Sequence, residues 1–310
     1  MTKMNNRVYG AIGIGVKNAN FNASFDKTPK TLSNGTIFGS HQASKYPNRV
    51  FWDKLNEKVF YLKSYTEDGN VKKINERFQE LFETEDKDIQ VVKSNLFKCI
   101  DVMNYGAAYT GSVSVDIRGV VQVNNGENKY ELTTVDIFNI LSPFGNKNSE
   151  KDTKQSSLGE TVVTDEAHYV YSINVNPFQY DKYIGNIEGF EGYAREAYDL
   201  FKEASLIAVS DYNSASKTGC QNEFAIFVEL KDGVQGKFNL NELGQYIKVY
   251  NSENSNKRIY DLTILTEILN SENINKDIKS IEIYYNLYTL ELLENIENAK
   301  RFNIITREEI

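Results

Sequence analysis

The sequence predicts an α+β fold in which a β-α-β-β-α-β core carries two insertions. Apolar runs of strand character at 7–16, 106–123, 167–175 and 224–230 supply the strands. Apolar residues at helical spacing around 88–103 and 190–210 supply the intervening helices. Long polar stretches fall between these segments and not inside them. At 310 residues and 40% hydrophobic content, the chain fits one decorated domain with a sizeable core.

The elements follow in order. R-V-Y-G-A-I-G-I-G-V (7–16) is the first strand, and its glycines at 10, 13 and 15 let another backbone approach closely. A basic, Asn-rich loop runs to about residue 40. A helix is expected at 44–58, capped by Ser44, with Pro47 inside its opening turn. Another is expected at 71–82, capped by Asn70, with Ile74, Phe78, Leu81 and Phe82 at helical spacing. V-F-Y-L-K-S-Y (59–65) reads as a short strand between them. Ile89, Val92, Leu96, Ile100 and Met103 share one face of a helix at 88–103. From 106 the period becomes two: Val113, Val115 and Ile117 point one way and Ser112, Ser114 and Asp116 the other. V-N-N-G-E-N-K-Y then marks a turn into a further strand.

Residues 142–161 are polar and rich in turn formers, an excursion of a length that is usually functional or disordered. A strand at 167–175, a helix at 190–210 carrying Tyr193 and Ala197, and a strand at 224–230 come next. Strand-like runs at 259–265 and 280–285 and a helix at 287–300 close the chain. Without the insertions, the first 231 residues have the order of the ferredoxin-like split unit. In one large class of such domains the sheet face and adjacent loops bind single-stranded RNA.

Composition excludes several classes. No run of eighteen apolar residues exists, so no membrane span is expected, and M-T-K-M-N-N-R-V-Y-G lacks the apolar stretch of a secretory signal. Two cysteines, Cys99 and Cys220, suit a reducing cytoplasm and give no disulfide framework. G-A-I-G-I-G places its glycines inside a strand, not at the turn into a helix that a dinucleotide site needs. A-S-K-T-G (215–219) lacks the glycine that a phosphate-cradling loop carries five residues before its lysine. His41 and His168 have no cysteine or paired carboxylate beside them, so no metal or triad is expected, and a structural or solvated role is the default.

The net charge of −8 argues against indiscriminate polyanion binding, but it is unevenly spread. Residues 1–50 hold seven Lys or Arg and one acid, a local balance of +6, leaving −14 on the remainder. Charges more than about 8 Å apart are largely screened at physiological salt, so an acidic face need not cancel a basic one. The basic loop reads G-V-K-N-A-N-F-N-A-S-F-D-K-T-P-K-T-L-S-N-G (15–35). Lys17, Lys27 and Lys30 suit phosphate contacts. Asn18, Asn20 and Asn22 alternate and would share a face in an extended segment; amides suit ribose, phosphate or base edges. Residue chemistry leaves two readings of Phe21 and Phe25 open, stacking platforms for bases or plugs for the core.

Five segments in preserved order resemble a known family: V-K-N-A-N-F-N-A (16–23), I-R-G-V-V-Q (117–122), I-L-S-P-F-G-N (140–146), S-S-L-G-E-T-V-V-T-D-E-A-H-Y-V-Y (156–171) and N-S-A-S-K-T-G (213–219). Together they look like the backbone subunit of the CRISPR interference complex Cascade in its type I-B form, within the RAMP superfamily of RNA-binding proteins. The resemblance runs from about residue 7 to 231. It implies a modified RNA-recognition-motif palm, with a helical finger insertion and an extended thumb hairpin. On that division 1–40 is the first palm strand and basic loop, and 41–104 the fingers. Residues 105–231 are palm with the thumb at 139–166, and 232–310 complete the palm.

The resemblance further implies a non-catalytic subunit whose copies polymerise head to tail along the spacer of a crRNA. The subunit presents that RNA for pairing with invading DNA, beside other Cascade subunits, in the cytoplasm and with no cofactor or metal. The implied RNA contacts are Lys17, Asn18, Asn20, Asn22, Lys27 and Lys30 in the loop and Lys45 and Arg49 at the first finger helix. Arg118 and Gln122 lie in the Gly-x-x-Gln strand segment. Ser142, Phe144, Lys147, Lys151 and Lys154 lie in the thumb, and Lys217 before the last palm strand. Ala215 and Ser216 depart from the basic signature expected beside Lys217. Related type III backbone subunits cut RNA with a metal and an aspartate near the thumb; here Asp116, Asp152 and Asp165 would be the candidates. A processing endonuclease of the superfamily would instead use histidine or tyrosine.

Overall fold

The computed structural model describes residues 2–145 and 155–310. Strand β1 (Val8–Ala19) leads through the basic loop to β2 (Phe38–Gly39) and helix α1 (His41–Lys54). Helices α2 (Ile74–Phe82), α3 (Ile89–Leu96) and α4 (Ile100–Tyr105) precede the short strands β3 (Gly106–Thr110), β4 (Ser114–Arg118), β5 (Val121–Val123) and β6 (Gly126–Asn128). A hairpin of β7 (Val135–Gly145) and the long β8 (Gln155–Val175) is followed by α5 (Arg195–Asp211) and β9 (Cys220–Leu230). The C-terminal part holds β10 (Lys248–Asn251), β11 (Arg258–Asp261), α6 (Thr263–Asn270), α7 (Glu272–Asn275), β12 (Ile278–Tyr285), β13 (Leu290–Leu293) and β14 (Ala299–Asn303).

Among the described residues the main sheet runs β14-β12-β9-β1-β8-β6-β2, with β5 and β7 also paired to β8. β1 lies between β8 and β9, antiparallel to both. Its side chains alternate between two cores, as the pleat requires. Val8, Ile12 and Ile14 face the helices, packing with Trp52 of α1 and Phe201 of α5. Tyr9 and Ala11 face the C-terminal part, with Tyr260, Leu262 and Leu265.

Both faces of the sheet are therefore covered. Residues 232–310 close one face with apolar side chains and also widen the sheet through β12 and β14. The strand glycines serve this closure. A Cβ on Gly13 would lie 2.8 Å from the Tyr260 hydroxyl, and one on Gly15 would lie 2.2 Å from a Glu223 carboxylate oxygen. At Gly10 the near neighbour is backbone, the Ile226 carbonyl at 2.3 Å, as the sequence led one to expect.

Several local expectations fail, each for a tertiary reason. Residues 59–65 are not a strand: the Phe60 and Tyr61 N–H groups donate to the Asp101 carboxylate at 2.8 and 2.9 Å instead of to a partner strand. The helix expected at 88–103 is two, broken where Phe97 packs among Tyr180, Tyr183 and Phe190 and where the Ile100 N–H donates to Lys58 O. α1 begins at His41 with Ser40 as its cap, not Ser44, so Pro47 lies in its interior. α2 begins at Ile74 after Lys73, not after Asn70. α5 begins at Arg195, leaving Tyr193 before it, buried and donating to Asn104. Residues 287–300 are not a helix: Leu290–Leu293 pair in parallel with β11, and Ala299–Asn303 with β12. The polar excursion at 142–161 is strand at both ends, in the β7–β8 hairpin.

An ionic cluster ties the C-terminal part to the sheet. His168 of β8 is 4% exposed. Its Nδ1 lies 2.6 Å from Glu223 Oε1 and its Nε2 lies 3.2 Å from Glu166 Oε1. From β11, the Tyr260 hydroxyl donates to Glu223 and Arg258 Nη2 donates to Glu166 at 2.6 Å. Burial alone would lower the imidazole pKa, but the two carboxylates outweigh it and raise it to about 9. Its contribution to stability is therefore complete below the ordinary histidine value and lost as pH rises through about 9. On the order of 3 kcal/mol is expected to disappear between pH 6 and pH 10. Denaturant titrations check this, and His168→Gln should flatten the profile. An unchanged slope in the variant would refute it.

Candidate nucleic-acid interface

Gln42, Lys45, Tyr46 and Arg49 recur at i, i+3, i+4 and i+7, so α1 presents them on one face. That face forms one wall of a cleft of about 640 Å³. The facing wall carries Tyr61, Lys63, Tyr105, Arg118 and Gln122. Gly106 and Gly119 bring the backbones at its floor together: a Cβ on Gly119 would lie 2.2 Å from the Tyr105 carbonyl carbon. Gly106, at φ +76, has no room for one either, since it would meet Ile117 O at 2.0 Å. The sequence R-G-V-V-Q thus places Arg118 and Gln122 at the cleft because glycine between them allows the close approach. The Gln122 amide donates to Gly119 O at 2.8 Å, which fixes its orientation.

The charges here are of two kinds. Arg49 is committed: its Nε donates to Asp101 Oδ2 at 3.2 Å, and Asp101 is fully buried. Lys45, 9% exposed, has its ammonium 4.9 Å from the Tyr105 ring centroid and no carboxylate partner among the described residues. Burial first, and Arg49 second, lower its pKa to about 8. Lys63 and Arg118 are exposed and likewise unpaired among the described residues, while Asp116 is the one acid lining the cleft. Three cations without a carboxylate partner among the described residues, set beside amides and tyrosine rings, have the chemistry to bind a polyanion that carries unsaturated rings.

The basic loop is organised differently. Lys17 and Asn18 are exposed, but Asn20 is buried, its amide donating to Lys27 O at 2.8 Å. Asn22 accepts from the Ser40 N–H at 2.7 Å, tethering the loop to the start of α1. The three asparagines therefore do not share a face, because Asn18 takes a left-handed backbone (φ 50) and the other two are turned inward. Phe21 is a core plug, 5.3 Å from the Tyr169 ring, whereas Phe25 stands fully exposed at the tip. Lys217 donates to the backbone carbonyls of Asn20 and Phe21, so its ammonium holds the loop in place. Lys30 is half-buried; Lys27 is exposed, its ammonium beside Gly159, midway along the hairpin. Ser142 and Phe144 lie in β7; Lys147, Lys151 and Lys154 lie outside the described residues.

Among the described residues no helix is long and apolar enough to cross a membrane, and no three His, Cys, Asp or Glu gather as a metal site. Cys99 and Cys220 are both buried and free.

Residues 6–267 match the family described as CRISPR-associated protein Cas7. The chain belongs to that family. Solved structures share its fold. A chain of a "CRISPR RNA-guided surveillance complex, pre-nicking" aligns at TM-score 0.56 and 12% identity, over 96% of each chain. A chain of a "CRISPR RNA-guided surveillance complex" aligns at 0.51 and 13%, over 94% of each. Among curated proteins nothing matches. In this Cas7-family chain the sequence pointed to Lys45, Arg49, Arg118 and Gln122, and the fold brings those four into one cleft. It missed Gln42, Tyr46, Lys63 and Tyr105. For Gln42 and Tyr46 the signal is the helical spacing from Gln42 to Arg49, which a helix beginning at Ser44 cuts short.

Proposed function

We propose that this protein is a non-catalytic crRNA-binding backbone subunit of a type I Cascade complex, of the I-B form, which holds the RNA backbone and leaves base edges free for target DNA. The observation that carries this reading is the α1 cleft, where Lys45, Lys63 and Arg118, without a carboxylate partner among the described residues, converge. The strand order β9-β1-β8-β6, with α5 packed on one face, supports an RNA-recognition-type palm. Residues 41–104 are then the fingers and the β7–β8 hairpin the thumb. Beyond its pairing with β1, which ends at Thr164, β8 continues for nine residues alongside β7, a reach of roughly 30 Å. Ile137, Phe138 and Leu141 are exposed there. Such a surface suits contact with a neighbouring copy in a head-to-tail array, with other Cascade subunits at its ends.

Expression with a CRISPR array and its partner subunits, followed by sequencing of co-purified nucleic acid, tests the reading. Repeat-spacer RNA is the expected result; unrelated host RNA, or none, would overturn it. Complementary RNA with Mg²⁺ should stay intact in the assembly, and regular cuts abolished by Asp116→Ala would favour the nuclease alternative.

The lysine chemistry predicts a pH dependence. Lys45 must be charged to hold phosphate, and in the free protein it loses its proton near pH 8. Affinity for RNA is therefore greatest below that value and should fall by about tenfold by pH 9. Lys45→Arg, which stays charged, should abolish the fall. Fluorescence anisotropy at constant ionic strength measures it, and equal pH profiles for both proteins would refute it.

A further inference from the structure

A groove runs between α3 and the loop that leads into α5. Two adjoining cavities, of about 490 and 320 Å³, share Ser94, Lys98, Ile187 and Glu188 and so form one channel. It has no lining residue in common with the α1 cleft.

The loop sequence explains its shape. In I-E-G-F-E-G (187–192), Gly189 and Gly192 take positive φ, +70 and +107, on either side of Phe190. These turns send the Phe190 ring inward, its centroid 4.4 Å from that of Phe97, and leave Glu188 and Glu191 in solvent. Phe97, Met103 and Ile187, all buried, continue the apolar floor. Val91, 40% exposed, extends it along α3.

The charges are not balanced. Lys3 is paired with Asp181 at 2.9 Å, and Lys98 donates to Asn95. The Glu188 and Glu191 carboxylates have neither an ion pair nor a hydrogen bond among the described residues. With the Lys3–Asp181 pair set aside, two carboxylates face one lysine. The groove therefore repels phosphate and attracts a cation. An apolar floor beside unpaired carboxylates matches a segment that carries both apolar and basic side chains. The eight residues of α3 span roughly 12 Å, the length of two turns of a helix laid alongside it. The β7–β8 hairpin of a second copy is a poor match. It exposes apolar side chains, but beyond its pairing with β1 its charges among the described residues are Asp136 and Glu160, both acidic.

We propose that this groove docks a short, basic amphipathic helix of a different protein subunit, with apolar side chains on Phe97, Met103 and Phe190 and a cation at Glu188 and Glu191. This rests on the backbone-subunit reading above and gives the chain a protein-binding face separate from its RNA-binding one.

The test uses the complex assembled on crRNA with its partner subunits. Glu188→Lys with Glu191→Lys, both exposed changes, should lower recovery of one partner subunit by at least about tenfold, because like charges set against each other cost several kcal/mol. RNA content and the melting curve should stay as in the parent. Amide exchange at 89–98 and 184–192 should slow in the full parent complex, and should not slow in an array of this chain on RNA alone. Full recovery of every subunit by the double variant would overturn the docking site and leave the RNA-binding reading standing. Slowing already present in the array on RNA alone would show a contact between copies, and would also overturn the proposal. A parent chain that gathers neither RNA nor partner subunits would overturn both readings.

Discussion

Changing Lys45, Lys63 and Arg118 together to alanine is expected to abolish stable RNA binding at physiological salt while leaving the fold intact. All three line the α1 cleft, and none has a carboxylate partner among the described residues, so their removal orphans no buried anion. Each phosphate neutralised on a single strand contributes roughly 0.7 to the slope of log affinity against log salt. Three lost contacts should lower that slope by about 2. A charge-assisted hydrogen bond contributes about 1.5–3 kcal/mol, so losing three should lower the affinity at fixed salt by at least roughly 1,000-fold. Salt titrations by anisotropy, beside a melting curve, measure both quantities. An unchanged slope with a normal melting curve would remove the cleft from the RNA path.

Arg49→Ala should act differently, through the fold. Its guanidinium is the cationic partner of Asp101, which is fully buried and also holds the Phe60 and Tyr61 N–H groups. Removing one member of a buried pair leaves an uncompensated charge and costs about 3–5 kcal/mol. Set against a typical total of roughly 5–15 kcal/mol, that loss should be plain in denaturant unfolding. Asp101→Asn in the same chain removes the stranded charge, so the double variant should be more stable than Arg49→Ala alone. A single variant within about 0.5 kcal/mol of the parent would show that the pair contributes little. The contrast separates two lysine- and arginine-bearing turns of one helix: Lys45 offers free charge, and Arg49 mainly holds the segment at 59–61 in place.

The readable part of the site was the part with local periodicity. Lys45 and Arg49 are four apart on one helix, and Arg118 and Gln122 flank a glycine that the backbone needs. Lys17 and Lys217 look equivalent to them in sequence. Only their surroundings distinguish them: Lys17 lies in a different cleft, at the end of β1, and Lys217 is bonded to the loop's own carbonyls. Phe21 and Phe25 are a sharper case. They share a loop and a chemistry, yet one is sealed against Tyr169 and the other stands in solvent.

By itself the sequence determined β1, β9, β12 and the 167–175 part of β8, because apolar alternation and glycine clearance are local properties that only a pleated, buried strand satisfies. It also determined where cations concentrate. The tertiary structure decided everything that depends on a distant partner. Asp101 took the N–H groups that a strand at 59–65 would have used. β11 and β12 took up residues 290–293 and 299–303 as strands where a helix was expected at 287–300. The C-terminal part closed one face of the sheet with apolar side chains. In each case a hydrogen-bonding or apolar surface far along the chain outweighed a local preference worth under about 1 kcal/mol per residue.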